Sequence, residues 1–579
     1  MSQATSTGFS RRDVLKLGAL AGATASLAPL ATSPLAAVAA ATAPSDFNEM
    51  TITQLKGLMA SGQARSTDLV NFYLRRIQAL DQGGPMVNSV LEVNPDALAI
   101  AQQLDAERQA GQVRGPLHGV PVLLKDNVDT HDRMQSAAGS LALVGTAPAQ
   151  DATVAARLRA AGAVILGKTT LSEWANFRSF FSTSGWSGRG GQCNNPYAID
   201  RNPCGSSSGS GAAAAANFTA VSIGTETDGS IVCPANHHAV VGIKPTVGLV
   251  SRAGIVPISH TQDTAGPHTR TMADGAAVLT AIAQRTADPR DPATSGNRNR
   301  IPRDYTQFLN ADGLRGARIG VARDFEGSSP HTDSVFEDAL TAMRNAGATL
   351  VDVFFPHISD INSGTAEFTV LLYDFKVDLN NYLSQRVGVP IRTLQDAIDF
   401  NNAHADREMP FFGQEIFELA QSFDVTNPDA IQPLGLSYNQ ALAQDQVFGA
   451  SEGIDLLLRQ NSLQAIVAST DTPAWPTDLI NGDHFVFGSS SPAAIVGYPI
   501  INVAMGFSFG TPVGISFMGT AFSEPTLIKL ASGFEAVTQA RRPPKFLATL
   551  PFDTKGMPTP TRVHRRRNVG HGRVAPFRL

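Results

Sequence analysis

Cysteine is scarce in this sequence: 579 residues contain only Cys193, Cys204 and Cys233. Three cysteines are too few for the disulfide framework that stabilises small secreted domains, and their spacing matches no zinc-binding motif. Because all three lie in one stretch of the chain, a single local disulfide is one alternative. Small buried thiols are the more common role of isolated cysteines, and we therefore expect free thiols here.

Charged and aromatic residues are also infrequent, at 16% and 7% of the sequence, and the formal net charge is only −5. A chain without a basic excess has no electrostatic basis for binding nucleic acid or an anionic membrane surface. We therefore expect no nucleic-acid partner. The hydrophobic content of 43% and the length are sufficient for a large globular domain with an extensive core.

Long apolar runs are missing from the N-terminus as well. The pair Arg11-Arg12 precedes a weakly hydrophobic segment that Gly, Ala, Ser and Thr dilute, and no stop-transfer flank follows, so a membrane anchor fits poorly. Residues 1–39 are predicted to be a twin-arginine-type signal peptide, with the mature chain starting between about residues 40 and 44. This predicts a periplasmic or extracellular protein without a stable membrane anchor. At the other end, the basic tail 552–579 is expected to be disordered.

The most informative stretch runs from residue 202 to 267 and is rich in glycine, serine and alanine. Gly205–Gly211 is predicted to be a loop, Ala212–Ala216 a helix with a serine available as its N-cap, and Thr219–Ile223 a strand that leads to a second Gly-Ser turn at Ser230. A flexible linker would not continue into a helix and a strand. A phosphate-binding loop is excluded because no Gly-Lys-Ser/Thr follows the glycines. The pattern indicates hydroxyl chemistry at an active site.

Lys125 ends the apolar, strand-like run from Val120 to Leu124. Most lysines are solvated surface residues. A lysine at the end of a buried strand, however, loses its hydration, and its pKa falls below the ordinary value of about 10.4. Lys125 is therefore a candidate base.

The segment GTETDGSIVCPA, residues 224–235, resembles the amidase signature family of serine hydrolases, and in detail its bacterial peptide amidase branch. That family uses a Ser–cis-Ser–Lys triad whose serines are 24 positions apart, as Ser206 and Ser230 are. Its lysine lies in a Gly-x-Pro-x-x-x-Lys-Asp context, which residues 119–126 match. The resemblance covers residues 46–546.

The resemblance implies specific roles for these residues. Ser230 would be the nucleophile, Ser206 the bridging serine after a cis peptide bond, and Lys125 the base. The oxyanion hole would consist of the backbone N–H groups of Thr227, Asp228, Gly229 and Ser230. No cofactor and no metal are implied.

The fold class is predicted to be α/β. Strands and helices alternate along the chain, which indicates a mixed, largely parallel sheet. The resemblance implies a single large amidase-signature domain, residues 46–546, with a central mixed β-sheet covered by helices on both faces. It also implies that residues 361–434 cover the mouth of the active site.

Several histidines lie in or directly after the stretch from residue 202 to 267, which raises the question of a metal site. His237 and His238 are adjacent in sequence, and His260 and His268 follow them. Adjacent residues on one element point in different directions, and no His-Glu-x-x-His motif is present. The sequence therefore predicts no catalytic metal.

The predicted function is an amidohydrolase that cleaves a carboxamide to carboxylate and ammonia through an acyl-enzyme. The resemblance favours a C-terminal peptide amide or a related small-molecule amide as substrate. One alternative is the A-type subunit of a tRNA-dependent amidotransferase, which works with a partner in the cytosol; the export signal argues against it. Another is an exported binding protein with the same fold but no catalysis. Because all three triad positions carry the required residue types, the enzyme is the preferred interpretation.

Overall fold

An eleven-stranded sheet lies at the centre of the computed structural model, which describes residues 46–296 and 299–551. The predicted signal peptide and the predicted C-terminal tail lie outside these residues. Among the helices that are described, none combines the length and apolar character needed to cross a bilayer.

The sheet strands are numbered in chain order together with a small separate hairpin, β4 and β5. They are β1 (Val90–Val93), β2 (Pro121–Lys125), β3 (Val164–Thr169), β4 (Trp186–Ser187), β5 (Gly191–Gln192), β6 (Val221–Glu226), β7 (Val241–Lys244), β8 (Thr264–Thr269), β9 (Arg318–Ala322), β10 (Thr349–Val353), β11 (Ala465–Ser469), β12 (Ile500–Ser508) and β13 (Thr511–Met518).

The α-helices surround this sheet. They are α1 (Ile52–Ala60), α2 (Ser66–Arg76), α3 (Ala97–Gln109), α4 (Thr153–Ala160), α5 (Ser208–Ala215), α6 (Val232–His237), α7 (Met272–Ile282), α8 (Pro330–Asn345), α9 (Ile358–Ser363), α10 (Thr365–Gln385), α11 (Leu394–Ala403), α12 (Ala405–Glu408), α13 (Glu415–Gln421), α14 (Tyr438–Asp445), α15 (Asp455–Gln460), α16 (Ser491–Ala494) and α17 (Glu524–Thr538).

The strand order is β1-β3-β2-β6-β8-β7-β12-β13-β11-β9-β10. The predicted mixed sheet is confirmed, but the expectation that it is largely parallel is wrong. Parallel pairing is confined to β3-β2-β6 and to β11-β9-β10, and the remaining neighbours are antiparallel. Among the described strands of this sheet, only the β12–β13 pair is joined by a short hairpin, which requires antiparallel neighbours; most of the other antiparallel pairs join strands that are not consecutive in the chain, so their direction is set by the tertiary packing.

Helices cover both faces of the sheet, as predicted. Successive side chains of β11 join different hydrophobic clusters: Ala465 and Val467 pack in the largest cluster with α8 and α17, while Ile466 and Ala468 pack on the other face with α15 and α16. Because side chains alternate along a strand, a strand that is buried throughout must have a cluster on each side. This explains why its sequence is an uninterrupted apolar run.

A third cluster is built from helices α10, α11, α13 and α14. It packs against Trp174 and Phe177, which precede the stretch from residue 202 to 267, and against Ile258 within that stretch. The region from residue 361 to 434, for which the resemblance implies a covering role, is therefore a helical layer with its own core. It contributes no strand to the main sheet among the described residues.

Candidate active site

The sheet topology brings the predicted base and nucleophile to the same edge. Lys125 is the last residue of β2, and β6 is its parallel neighbour. The chain leaving β6 turns through Ser230 before it enters α6. Since parallel strands end at the same edge of a sheet, Lys125 and the Ser230 turn approach each other although they are distant in sequence.

Lys125 has no exposed side-chain surface. Its Nζ lies 2.7 Å from Ser206 Oγ, 2.9 Å from Thr225 Oγ1 and 3.3 Å from the carbonyl oxygen of Thr225. Burial lowers the pKa of Lys125 to about 7, although Asp263 and Glu226 act in the opposite direction. The uncharged amine is therefore accessible near neutral pH.

Ser206 is fully buried and follows a cis peptide bond after Gly205, the bond that the resemblance implies. The small residues beside it allow close packing. A Cβ on Gly209, in the first turn of α5, would lie 2.6 Å and 2.7 Å from the backbone oxygen and nitrogen of Thr170. The glycines of this segment thus let helix α5 approach the end of β3.

The expected serine N-cap of α5 is not formed. Ser207 occupies the cap position, but its side chain makes no capping hydrogen bond. Instead, its Oγ donates to the carbonyl oxygen of Thr225 at 2.9 Å and accepts from the Thr225 N–H at 3.1 Å. The serine therefore ties the Ser206 loop to the end of β6.

The Ser230 turn is held by backbone and carboxylate contacts. Glu226 Oε2 accepts the N–H groups of Ile231 at 2.6 Å and of Val232 at 2.9 Å, and the Ser207 N–H donates to the Ser230 carbonyl at 3.2 Å. Gly229 has φ +76°, a conformation that favours glycine. Ser230 itself is 9% exposed, so its side chain lies just below the protein surface.

The two serine hydroxyls are not hydrogen-bonded to each other. Within the described residues, Ser206 Oγ contacts Lys125 Nζ, whereas Ser230 Oγ has no hydrogen-bond partner. The structure therefore places Lys125 against Ser206 and Ser230 in the neighbouring turn. Catalytic hydrogen bonds are often long before substrate binds and tighten in the complex.

The four backbone N–H groups of Thr227, Asp228, Gly229 and Ser230 donate no hydrogen bond to any described residue. The side chains around them are, in contrast, well anchored. Thr227 Oγ1 donates to Asp263 Oδ1 at 2.6 Å, and Asp228 Oδ2 accepts from Ser491 Oγ at 2.6 Å. A turn with fixed side chains and unused N–H donors can stabilise a developing negative charge.

A disulfide joins Cys204 to Cys233, and the expectation of free thiols is wrong for this pair. The two residues are 29 positions apart in sequence, but their Cα atoms lie 6.0 Å apart, within the range that a disulfide bridges. Cys204 precedes Ser206 and Cys233 follows Ser230, so the bond links both serine segments. Cys193 is free and buried, as expected.

The conspicuous histidines are mostly structural. His237, His238 and His268 are fully buried, and each forms a hydrogen bond with a backbone carbonyl. Burial lowers the pKa of His237 and His268 to about 4, so both imidazoles are neutral at pH 7. His260, in contrast, lies at the surface beside two aspartates of α10.

Three residues of the site are not predicted from the sequence: Asn127, Thr225 and Glu226. Thr225 accepts hydrogen bonds from both Lys125 and Asn127, and Glu226 holds the Ser230 turn. The available signal is the position of Thr225 and Glu226 at the carboxyl end of β6, next to the strand that carries Lys125. This signal can be used only once the pairing of β2 with β6 is known.

Comparison with known proteins gives a consistent result. A family model described as Amidase matches residues 68–528. A probable amidase of Arabidopsis thaliana is 43% identical over 510 residues, covering 87% of this chain and 92% of that protein. The A-type subunit of the glutamyl-tRNA(Gln) amidotransferase of Chloroflexus aurantiacus is 31% identical over 521 residues, covering 85% and 98%.

Solved structures show the same likeness. The native peptide amidase from Stenotrophomonas maltophilia superimposes with a TM-score of 0.80 at 48% identity, covering 87% of this chain and all of that chain. A structure of the peptide amidase PAM in complex with the competitive inhibitor chymostatin has a TM-score of 0.80 at 49% identity, covering 86% and 99%.

Proposed function

The chain belongs to the amidase family and is an amide-hydrolysing enzyme, and from this premise we propose that Ser230 attacks the amide carbonyl with Ser206 and Lys125 as its proton relay. The observation that carries the proposal is the fully buried contact of 2.7 Å between Lys125 Nζ and Ser206 Oγ. A neutral amine has two N–H groups and one lone pair. Thr225 supplies acceptors for the two N–H groups, so the lone pair is directed at Ser206.

The proposed reaction has two stages. As Ser230 Oγ bonds to the carbonyl carbon, its proton passes to Ser206 Oγ, and Ser206 passes its own proton to Lys125. The N–H groups of residues 227–230 hold the oxyanion, each donor contributing roughly 3–4 kcal/mol of barrier lowering. Collapse of the tetrahedral intermediate breaks the C–N bond, and the nitrogen receives the proton from Lys125 through Ser206. Ammonia leaves, and water then hydrolyses the acyl-enzyme by the same relay.

We propose a C-terminal peptide amide as the preferred substrate, or a related small amide. The likeness to peptide amidases at 48–49% identity supports this assignment. It is tested with a panel of N-acetylated peptide amides and of small aryl and aliphatic amides, following ammonia release and the mass of the acid product. Turnover of the peptide amides is expected. Turnover of the small amides alone would overturn the assignment of peptide amides as substrate, but not the assignment of the nucleophile.

The nucleophile is tested separately with a fluorophosphonate probe. We expect covalent labelling at Ser230 and its loss in Ser230→Ala. Ser210→Ala is the matched control, because Ser210 is a buried serine of the same stretch whose Oγ contacts Ile223 O at 3.0 Å and Thr169 Oγ1 at 2.8 Å, outside the relay. Labelling that persists in Ser230→Ala would show that another residue is the nucleophile.

A second candidate is suggested by the relatives that are A-type subunits of amidotransferases. A protein of that kind would work with partner subunits on charged tRNA. Purification of the full chain from its source, followed by identification of bound proteins, distinguishes the two. A stoichiometric partner and dependence of amide turnover on it would replace the free-standing amidase.

We also propose that the protein is exported. The Arg11-Arg12 pair and the weakly hydrophobic segment after it support this. The Cys204–Cys233 disulfide is a second support, since disulfides persist in oxidising compartments and are rare in the cytosol.

A further inference from the structure

An aspartate pair on α10 and a histidine from the preceding loop form a compact group at the protein surface. His260 lies between β7 and β8, while Asp374 and Asp378 are one turn apart on α10. His260 Nδ1 lies 3.4 Å from Asp374 Oδ1 and 2.9 Å from Asp378 Oδ2, and all three atoms are within 4.8 Å of one another. His260 is more than 100 residues from the two aspartates in sequence, so only the tertiary structure brings the three side chains together.

These distances suit a bound cation. Zinc bonds to imidazole nitrogen and carboxylate oxygen are about 2.0–2.2 Å long, so ligand atoms around a tetrahedral ion are separated by about 3.3–3.6 Å. The Nδ1–Oδ1 separation of 3.4 Å already lies in this range, and the Nδ1–Oδ2 separation of 2.9 Å would have to lengthen slightly to admit an ion between the three atoms. The half-exposed His260 ring leaves the fourth position open to water.

Asp374 provides an independent indication. Its side chain is fully buried, yet Oδ1 accepts no hydrogen bond from the described residues and points toward His260. Oδ2 is held in place by the hydroxyls of Ser259 at 2.6 Å and Thr261 at 2.9 Å. A ligand carboxylate oriented by such outer hydrogen bonds is typical of metal sites.

The charges are also balanced. In this structure His260 Nδ1 donates a hydrogen bond to Asp378 Oδ2 at 2.9 Å, and the His260 backbone N–H donates to the same oxygen at 2.7 Å. A bound ion would replace the proton on Nδ1, and the two carboxylates would then neutralise a divalent ion held by an uncharged ring. Arg252, which donates to the carbonyl of His260, is itself paired with Asp291 at 2.7 Å. We propose that His260, Asp374 and Asp378 bind a divalent transition-metal ion of the zinc type, through Nδ1, Oδ1 and Oδ2 respectively.

The site is placed to stiffen the wall of the active site. It joins α10 to the loop from residue 258 to 263, and Asp263 in that loop accepts the N–H groups of Ile258 at 2.8 Å and Ser259 at 3.0 Å. The other oxygen of Asp263 holds Thr227, in the turn of Ser230. The role is structural and does not depend on which serine is the nucleophile.

The test measures metal binding by the full chain after removal of metals with a chelator. Zn²⁺ is titrated against a chromogenic chelator, and Co²⁺ is added to separate samples to record its visible absorption. We expect one ion per chain at this site and at least about a 100-fold loss of affinity in His260→Gln and in Asp378→Asn. Hydrogen exchange of residues 258–263 should slow when Zn²⁺ is present.

His357→Gln is the matched control. His357 is another histidine paired with two acidic residues, Asp360 at 3.4 Å and Glu452 at 2.7 Å, and its replacement should leave the binding unchanged. Each variant is first shown to keep the wild-type unfolding temperature without metal. A dissociation constant above about 0.1 mM, the order of magnitude for weak surface sites, would overturn the proposal. Equal binding by all variants would also overturn it.

Discussion

At the scale of single residues, burial of a lysine is not in itself a sign of catalysis. Lys125, Lys168 and Lys244 all have no exposed surface, and burial lowers the pKa of each. Lys168 Nζ donates to Val128 O and Ser136 Oγ, and Lys244 Nζ donates to Tyr498 O. Of these three lysines, Lys125 is the one that contacts a serine of the predicted triad. Its partner, more than its burial, distinguishes it.

Replacement of Lys125 by Ala is expected to lower kcat by roughly 10²- to 10⁴-fold, the range for loss of a positioned general base. Steady-state release of ammonia from an N-acetylated peptide amide measures the effect. Lys168→Met serves as the control, since it removes an equally buried lysine outside the relay: it should lower stability but keep most of the activity of the folded enzyme. Equal losses of kcat in both variants would contradict the role of Lys125.

The pH dependence follows from the same residue. The proposed relay requires uncharged Lys125, and the pKa of Lys125, about 7, lies well below the ordinary lysine value. The base is protonated below this pKa, so kcat/KM should rise with pH from about 5.5 to 7 and level off above about 8. A peptide amide without titratable groups is the appropriate substrate, and activity regained at about pH 8 after exposure to about pH 5.5 excludes unfolding. A rate that falls between about pH 6 and 8 would contradict the assignment.

At the scale of elements, the site depends on three connections that meet at one sheet edge: the end of β2, the loop before α5 and the turn between β6 and α6. Small residues are used where backbone must pack against backbone, as at Gly209 in the first turn of α5, directly after the second connection. The disulfide adds a covalent link between the second and third connections.

Removal of this link by Cys204→Ala with Cys233→Ala should lower the free energy of unfolding by about 2–4 kcal/mol, because a closed loop restricts the unfolded chain. Denaturant unfolding measures the change. Cys193→Ala is the control, since that thiol is free and its loss removes no link. Thiol titration of the unfolded, unreduced protein should find one free thiol. Three free thiols would contradict the disulfide.

At the scale of the whole molecule, the proposed export makes a prediction about location. Arg11→Lys with Arg12→Lys should leave the protein in the cytoplasm, because a twin-arginine signal is read through its guanidinium groups and lysine is not equivalent. Cell fractionation of a bacterial host with this pathway measures the distribution. Arg565→Lys with Arg566→Lys, an arginine pair at the other end of the chain, should be exported normally. Export of both variants would argue against the proposed signal.

The positions of buried strands can be predicted from local sequence. The apolar run at Val120–Leu124 predicts a buried strand, and the structure places β2 there. Such a prediction succeeds because a strand that is covered on both faces of a sheet buries every one of its side chains and so has an apolar residue at each position. The proportion of antiparallel pairs is not predictable in this way, since it depends on which strands become neighbours.

The sequence by itself determined the residue types available for chemistry: two serines at a set spacing, a lysine at the end of a strand, and glycines where the turns are tight. The tertiary structure alone decided which distant groups meet. It paired Cys204 with Cys233, placed Thr225 against Lys125, and brought His260 to Asp374. The physical reason is that residue type and backbone preference are local properties, whereas contacts between remote segments depend on how the strands and helices pack.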